Sequence, residues 1–250
     1  MRALYVVAAV LLAQSAVAQE KLVGSNVDVR TGLTFKVSDG VVQKMLPEGW
    51  EVNSPTAGPT KGSNVNLTLI DQIMAQDPEG KALNPFRGAA LSIPAKKKGT
   101  ETAGTMVFAG LMTPPNVPGA YGAFVPANAF VERSQRTDGD GKTVIEENWQ
   151  LKADDGSAIE VQIQYVRGVP ARGKVEAKVY AAIKPDFYRI YRFEQAADVA
   201  RSTSTGIDRV SKISFKVTGA KLAPLFDGSQ QLISVTSVPW YSRQVSLPGS

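Results

Sequence analysis

The chain has 250 residues, 43% hydrophobic and 20% charged, with a formal net charge of +5 at pH 7, which is ordinary for a globular protein and enough for one large domain. It contains no His and no Cys, which excludes an imidazole base, a disulfide and a Ser–His or Cys–His nucleophile within this chain, and leaves a zinc ion without its usual ligands. The basic residues are scattered apart from Lys96-Lys97-Lys98, so they do not form the clustered face that binds nucleic acid.

Residues 1–18 have the three parts of a secretory signal peptide: Arg2, the apolar run Ala3–Leu12, and the small-residue site Ala16-Val17-Ala18. The run is too short to span a bilayer, and no later stretch is apolar enough to do so. The expectation is a protein secreted or held in a periplasm, with residues 19–28 as an extended N-terminal arm and residues 29–250 as one domain. Leu33, Phe35 and Val37 alternate with polar residues and predict a strand. Ser38 or Asp39 can then cap a short helix that Pro47 stops. Val65, Leu67 and Leu69 predict a second strand, Asp77-Pro78-Glu79-Gly80 a turn, and Ala89–Ile93 a third strand.

The segment from Val107 to Arg133 predicts strand, rigid loop, strand. Its loop is built on Pro114, Pro115, Pro118 and Gly119, and proline cannot donate to a ladder. Farther on, Ile145, Trp149 and Leu151 share one phase. Asp154-Asp155-Gly156 marks a hairpin turn, and Ile159, Val161, Ile163 and Tyr165 alternate strictly with polar residues. Lys174–Ala181 alternates too. A helix is expected around Tyr188–Arg201, where Tyr188 and Arg192 would share a face that packs on a sheet or meets a carboxylate. Strands at Ile213–Val217, Leu232–Val238 and Gln244–Leu247 complete about ten, with no βαβ rhythm. The fold class expected is mainly β (α+β): a barrel or sandwich of mainly antiparallel or mixed strands, with a few short peripheral helices.

Alternation also assigns faces. Lys36, Lys152, Lys174, Lys178 and Lys216 all fall on polar phases, so no strand lysine is expected to be buried and unprotonated as an amine nucleophile must be. Glu147 is the exception among carboxylates. It shares the apolar phase of Ile145 and Trp149, where it either lines a cavity or sits at a wet strand end. Glu132, ending the central strand, is open to the same two readings.

Four stretches resemble the acetoacetate decarboxylase superfamily: Val42–Glu48, Asn116–Gly122, Leu222–Asp227, and the endings Val238-Pro239 and Leu247-Pro248. The resemblance runs from about Arg30 to Pro248. It implies a cone-shaped mixed β-barrel with a central cavity, often assembled into homo-oligomers, and a cofactor-independent reaction in which a lysine forms an iminium with a β-keto acid. The family's Lys-Lys run is absent here; its positions fall at Val131 and Glu132. The resemblance also places Arg30 as a substrate-orienting arginine and Glu79 as a pocket glutamate. Together these readings give Glu79, Glu132 and Glu147 as candidate acids or bases, and Arg30, Tyr121, Phe124, Trp149 and Tyr165 as candidate binding residues, with no metal site. The partner expected is a small organic acid, bound or acted on without a Schiff-base lysine; a non-catalytic binding barrel and a structural envelope protein stand as alternatives.

Overall fold

The structure, a computed structural model, describes residues 19–249; the leader reading lies outside them. In chain order the strands are β1 (Lys21–Lys36), β2 (Trp50–Val52), β3 (Val65–Gln76), β4 (Ala82–Leu83), β5 (Arg87–Lys97) and β6 (Ala103–Met112). Then come β7 (Phe124–Pro126), β8 (Asn128–Thr137), β9 (Thr143–Lys152), β10 (Ala158–Val166) and β11 (Ala171–Ala181). The last are β12 (Lys184–Ser202), β13 (Ile207–Asp208), β14 (Val210–Thr218) and β15 (Gln231–Leu247). Helix α1 (Asp39–Gln43) and a 3-10 turn at Ala223–Leu225 are the helical pieces among the described residues.

Seven strands, in the order β5-β3-β1-β15-β12-β11-β6, close into a ring through the β5–β6 pairing. The pairings of β6 with β11 and with β7 are parallel and the other ring pairings antiparallel, so the sheet is mixed. Strands β8, β9, β10 and β14 form a separate four-stranded antiparallel sheet. The mainly β, mixed barrel expected from the sequence is therefore what the chain forms, and no described helix is long and apolar enough to cross a membrane.

The main core lies where the two sheets meet. Leu33 and Phe35 from β1, Leu67 and Leu69 from β3, and Leu91 from β5 pack with Trp149, Leu151, Ile159 and Val161 from the four-stranded sheet. The apolar phases read along β9 and β10 are buried, and the Asp154–Gly156 turn joins them as a hairpin. The five lysines assigned to polar phases from the sequence all lie outside the core. Lys36 pairs with Asp39, Lys152 with Glu160 and Lys174 with Glu194, while Lys178 and Lys216 are exposed.

Three expectations change. From Lys21 onward the extended arm is the first half of β1, paired with β15 on one side and, from Ser25, with β3 on the other. The helix expected at Tyr188–Arg201 is strand β12, paired with both β11 and β15. Its residues are mostly half-buried on both faces, which erases the alternation that reveals a strand. Fifteen strands among the described residues take the place of the about ten expected: β2, β4, β7 and β13 are only two or three residues long, β12 was expected as a helix, and the strands expected at Leu232–Val238 and Gln244–Leu247 are one, β15.

Gly110 shows how tightly the loop after β6 is packed on the ring. A Cβ there would stand 2.5 Å from the Ala89 carbonyl oxygen and 2.5 Å from the Phe124 ring. Gly110→Ala should therefore lose about 1–3 kcal/mol of stability through overpacking, read as a lower midpoint in urea unfolding; an unchanged midpoint would refute this account of the Phe124 seat.

Candidate binding and catalytic site

Glu147 stands at the centre of β9, and its side chain is 1% exposed. Strand register explains its neighbours. It lies opposite Arg133 of β8 and Ile163 of β10, while Trp149, two residues on, shares its face. The face closes on β1 and β15 of the ring. Thr31 Oγ1 donates to Glu147 Oε2 at 2.7 Å, and Trp149 Nε1 donates to the same oxygen at 2.7 Å. The Tyr165 hydroxyl lies 3.2 Å from Glu147 Oε1 and 2.7 Å from Ser237 Oγ. Burial, and after it the negative charge of Glu147, pushes the Tyr165 phenol above its ordinary value, so Tyr165 is a neutral hydroxyl at any physiological pH.

Arg133 completes the group. Its guanidinium is 5.6 Å over the Trp149 ring. Its Nε is 3.7 Å from Glu147 Oε1, and its Nη1 is 3.8 Å from Asp71 Oδ2. These are ion-pair separations, too long for hydrogen bonds. Both Nε and Nη2 of Arg133 are buried and have no hydrogen-bond partner. Buried donors are nearly always satisfied. Nε and Nη2 together form the edge of a guanidinium that grips a carboxylate with two parallel bonds, so the unfilled edge has the shape and charge to take one. Asp71 is also held by Arg87, at 3.1 Å.

The other face of β1 carries a second polar group. Asp28, fully buried, accepts from Asn26 Nδ2 at 2.6 Å and from Arg30 Nε at 2.8 Å, and pairs also with Arg30 Nη2. Arg30 lies 3.5 Å over the Tyr241 ring. Arg243 donates to Asn26 Oδ1 at 2.9 Å and sits 4.1 Å over the Tyr191 ring. Tyr191 and Tyr121 share a hydrogen bond between their hydroxyls. Burial, then the neighbouring Tyr191, raises the Tyr121 phenol well above its usual range. Phe124 packs in the same cluster as Tyr121.

The residues singled out from the sequence are thus divided. Glu147, Trp149 and Tyr165 come together at the sheet junction. Arg30, Tyr121 and Phe124 lie across β1 from them, where Asp28 already occupies the Arg30 guanidinium. Alternation along β1 turns Thr31, rather than Arg30, toward Glu147, while Arg30 shares the face of Asp28. Glu79 is exposed in the Asp77–Lys81 turn, and Glu132 is exposed on β8. Sequence reading missed Arg133, Asp71, Thr31 and Ser237. For Arg133 a signal existed: it is one residue past the position where the resemblance sets the family's reactive run. Among the described residues no cluster of three or more carboxylates could hold a metal ion.

No protein-family model and no curated protein sequence matches the chain. Solved structures do match. An acetoacetate decarboxylase-like enzyme from Sphingomonas wittichii RW1 aligns over 97% of this chain and 96% of its own, with a TM-score of 0.51 and 11% identity. The enduracididine biosynthesis enzyme MppR, complexed with the condensation product of pyruvate and imidazole 4-carboxaldehyde, aligns over 94% of this chain and 90% of its own, at a TM-score of 0.54 and 11% identity. The same enzyme complexed with pyruvate gives coverages of 94% and 91% and a TM-score of 0.54. The chain has an acetoacetate decarboxylase-like fold.

Proposed function

We propose that the chain binds a small organic acid, a keto acid in the first instance, at the junction of the ring and the four-stranded sheet. The carrying observation is the buried, unfilled Nε–Nη2 edge of Arg133 beside Glu147. The ligand carboxylate takes that edge bidentately, in surroundings where water competes little. Glu147 Oε2 is occupied by Thr31 and Trp149, while Oε1, approached by the Tyr165 hydroxyl at 3.2 Å, faces Arg133 and is the oxygen that would exchange a proton with a carbon next to the ligand's carbonyl. No lysine takes part, since no strand lysine is buried, and Schiff-base chemistry plays no role in this reading. The neighbours whose names include pyruvate lend it chemical plausibility, and the Arg2–Ala18 pattern supports an exported protein.

Calorimetry with pyruvate and acetoacetate tests the proposal. Arg133→Ala should weaken binding by roughly 10- to 100-fold, the worth of a bidentate charged pair. A urea midpoint measured alongside separates lost binding from lost stability, since Arg133→Ala also removes the ion pairs with Glu147 and Asp71. Binding unchanged by Arg133→Ala would sink the site. Proton exchange at the carbon next to the carbonyl, followed by NMR in deuterated water, separates catalysis from binding. Exchange that Glu147→Gln abolishes makes Glu147 the base. Binding with no exchange in the wild type favours the non-catalytic reading, which the three hydrogen-bonding neighbours fastening Glu147 in place also suit.

A further inference from the structure

Strand β11 has an open edge. It pairs with β12 along its whole length, but with β6 only at Val179–Ala181. Ala171–Lys178 therefore presents backbone donors and acceptors to solvent on one side, and its residues are exposed apart from the half-buried Ala177. An unpaired edge of this length is a template for another strand. A shallow cleft bordered by Lys174, Glu176, Arg192, Glu194, Ser242 and Gln244 runs beside it.

We propose that this edge pairs antiparallel with the same edge of a second copy of the chain, about a two-fold axis at Val175. A two-fold axis between antiparallel strands sets one residue opposite itself, so only a few registers are open. With Lys174 at the axis, two lysines face each other; with Glu176, two glutamates do; with Gly173, Arg172 meets Lys174. With Val175 at the axis, Lys174 of each chain faces Glu176 of the other.

The neighbouring strands extend that match. Within one chain Glu176 lies opposite Arg192, and Arg192 Nε donates to it at 2.8 Å. Lys174 lies opposite Glu194, and they form an ion pair at 3.8 Å. Across the dimer the row reads Arg192, Glu176, Lys174, Glu194, with charges alternating in sign through four strands. The central row is apolar: Phe193, Val175, Val175, Phe193. Cross-strand pairs of these kinds each favour pairing, and like charges oppose it. Arg172 comes opposite Lys178 at the ends, where Glu194 already pairs with Arg172 and the Tyr188 ring lies 5.5 Å from the Lys178 amine.

The chain has no cysteine, which makes a register-specific test direct. Residues opposite each other in an antiparallel pair stand within disulfide reach. In the full chain, Val175→Cys should form a disulfide-linked dimer on mild oxidation, and Ala171→Cys should not. By sedimentation, Lys174→Glu alone should raise the dimer dissociation constant about tenfold or more, and adding Glu176→Lys should restore it. Circular dichroism confirms that each variant is folded. A wild-type chain that stays monomeric across the concentration range overturns the proposal, as does a dimer indifferent to Lys174→Glu. Equal crosslinking at positions 171 and 175 overturns the register.

Discussion

Trp149→Ala should lose about 3–5 kcal/mol of folding stability, the cost of removing a large aromatic from a core that cannot collapse around the gap. Trp149 is fully buried, and it packs where the main core and the polar junction meet. Two effects add. The indole leaves a cavity among Leu33, Leu151 and Val161, and Glu147 loses the donor 2.7 Å from its Oε2. Trp149→Phe separates them, since it keeps most of the volume and removes only the N–H. Its expected cost is about 1.5–3 kcal/mol, the value of a hydrogen bond to a charged acceptor. Urea unfolding followed by circular dichroism measures both. If Trp149→Ala unfolds within 1 kcal/mol of wild type, the junction is looser than described, and the site built on it falls with it.

The second large effect lies on the opposite face of β1. Asp28→Ala should cost about 3–5 kcal/mol, because it strands the Arg30 guanidinium without its buried carboxylate. The Arg30 side chain is 14% exposed and Asp28 is fully buried, so water does little to replace the lost partner. Removing both charges should be far milder: Asp28→Ala with Arg30→Met is expected to recover most of the loss, since an apolar side chain of similar length tolerates the same burial. A double variant no more stable than the single would show that the Asn26 contact, rather than the ion pair, carries the cost.

Period-two alternation made much of this legible. It placed Ile145, Trp149 and Leu151 on one buried phase, and it put Glu147 among them. That conflict between a charge and its phase was the sequence's pointer to the junction. Alternation identifies a face but not the element that covers it. It could not show that Thr31 and Ser237, 206 residues apart in number, reach the same cluster. Arg133 escaped notice because an arginine beside Glu132, Ser134, Gln135 and Arg136 reads as a solvated strand end. Arg30 was read as a free cation although Asp28, its neutralising partner, sits two residues away on the same phase of β1; the resemblance, not the alternation, was followed there. Glu79, chosen by resemblance alone, lies in an exposed turn. The helix expected over β12 failed for a related reason: a strand flanked by partners on both edges and half-covered on both faces has no polar side to alternate with.

The pairing of β1 with β15 carries a kinetic consequence. The strands run from Lys21 to Lys36 and from Gln231 to Leu247, and Lys21 lies directly opposite Leu247. During synthesis the ring cannot close until the final strand emerges from the ribosome. Until then β1 and β12 each wait with an unsatisfied edge. Closing so long a loop costs entropy before any contact repays it, and such topologies fold in milliseconds to seconds rather than microseconds. A ring whose first strand is joined to its final one closes as a unit, and is poorly suited to folding piecemeal as it is made.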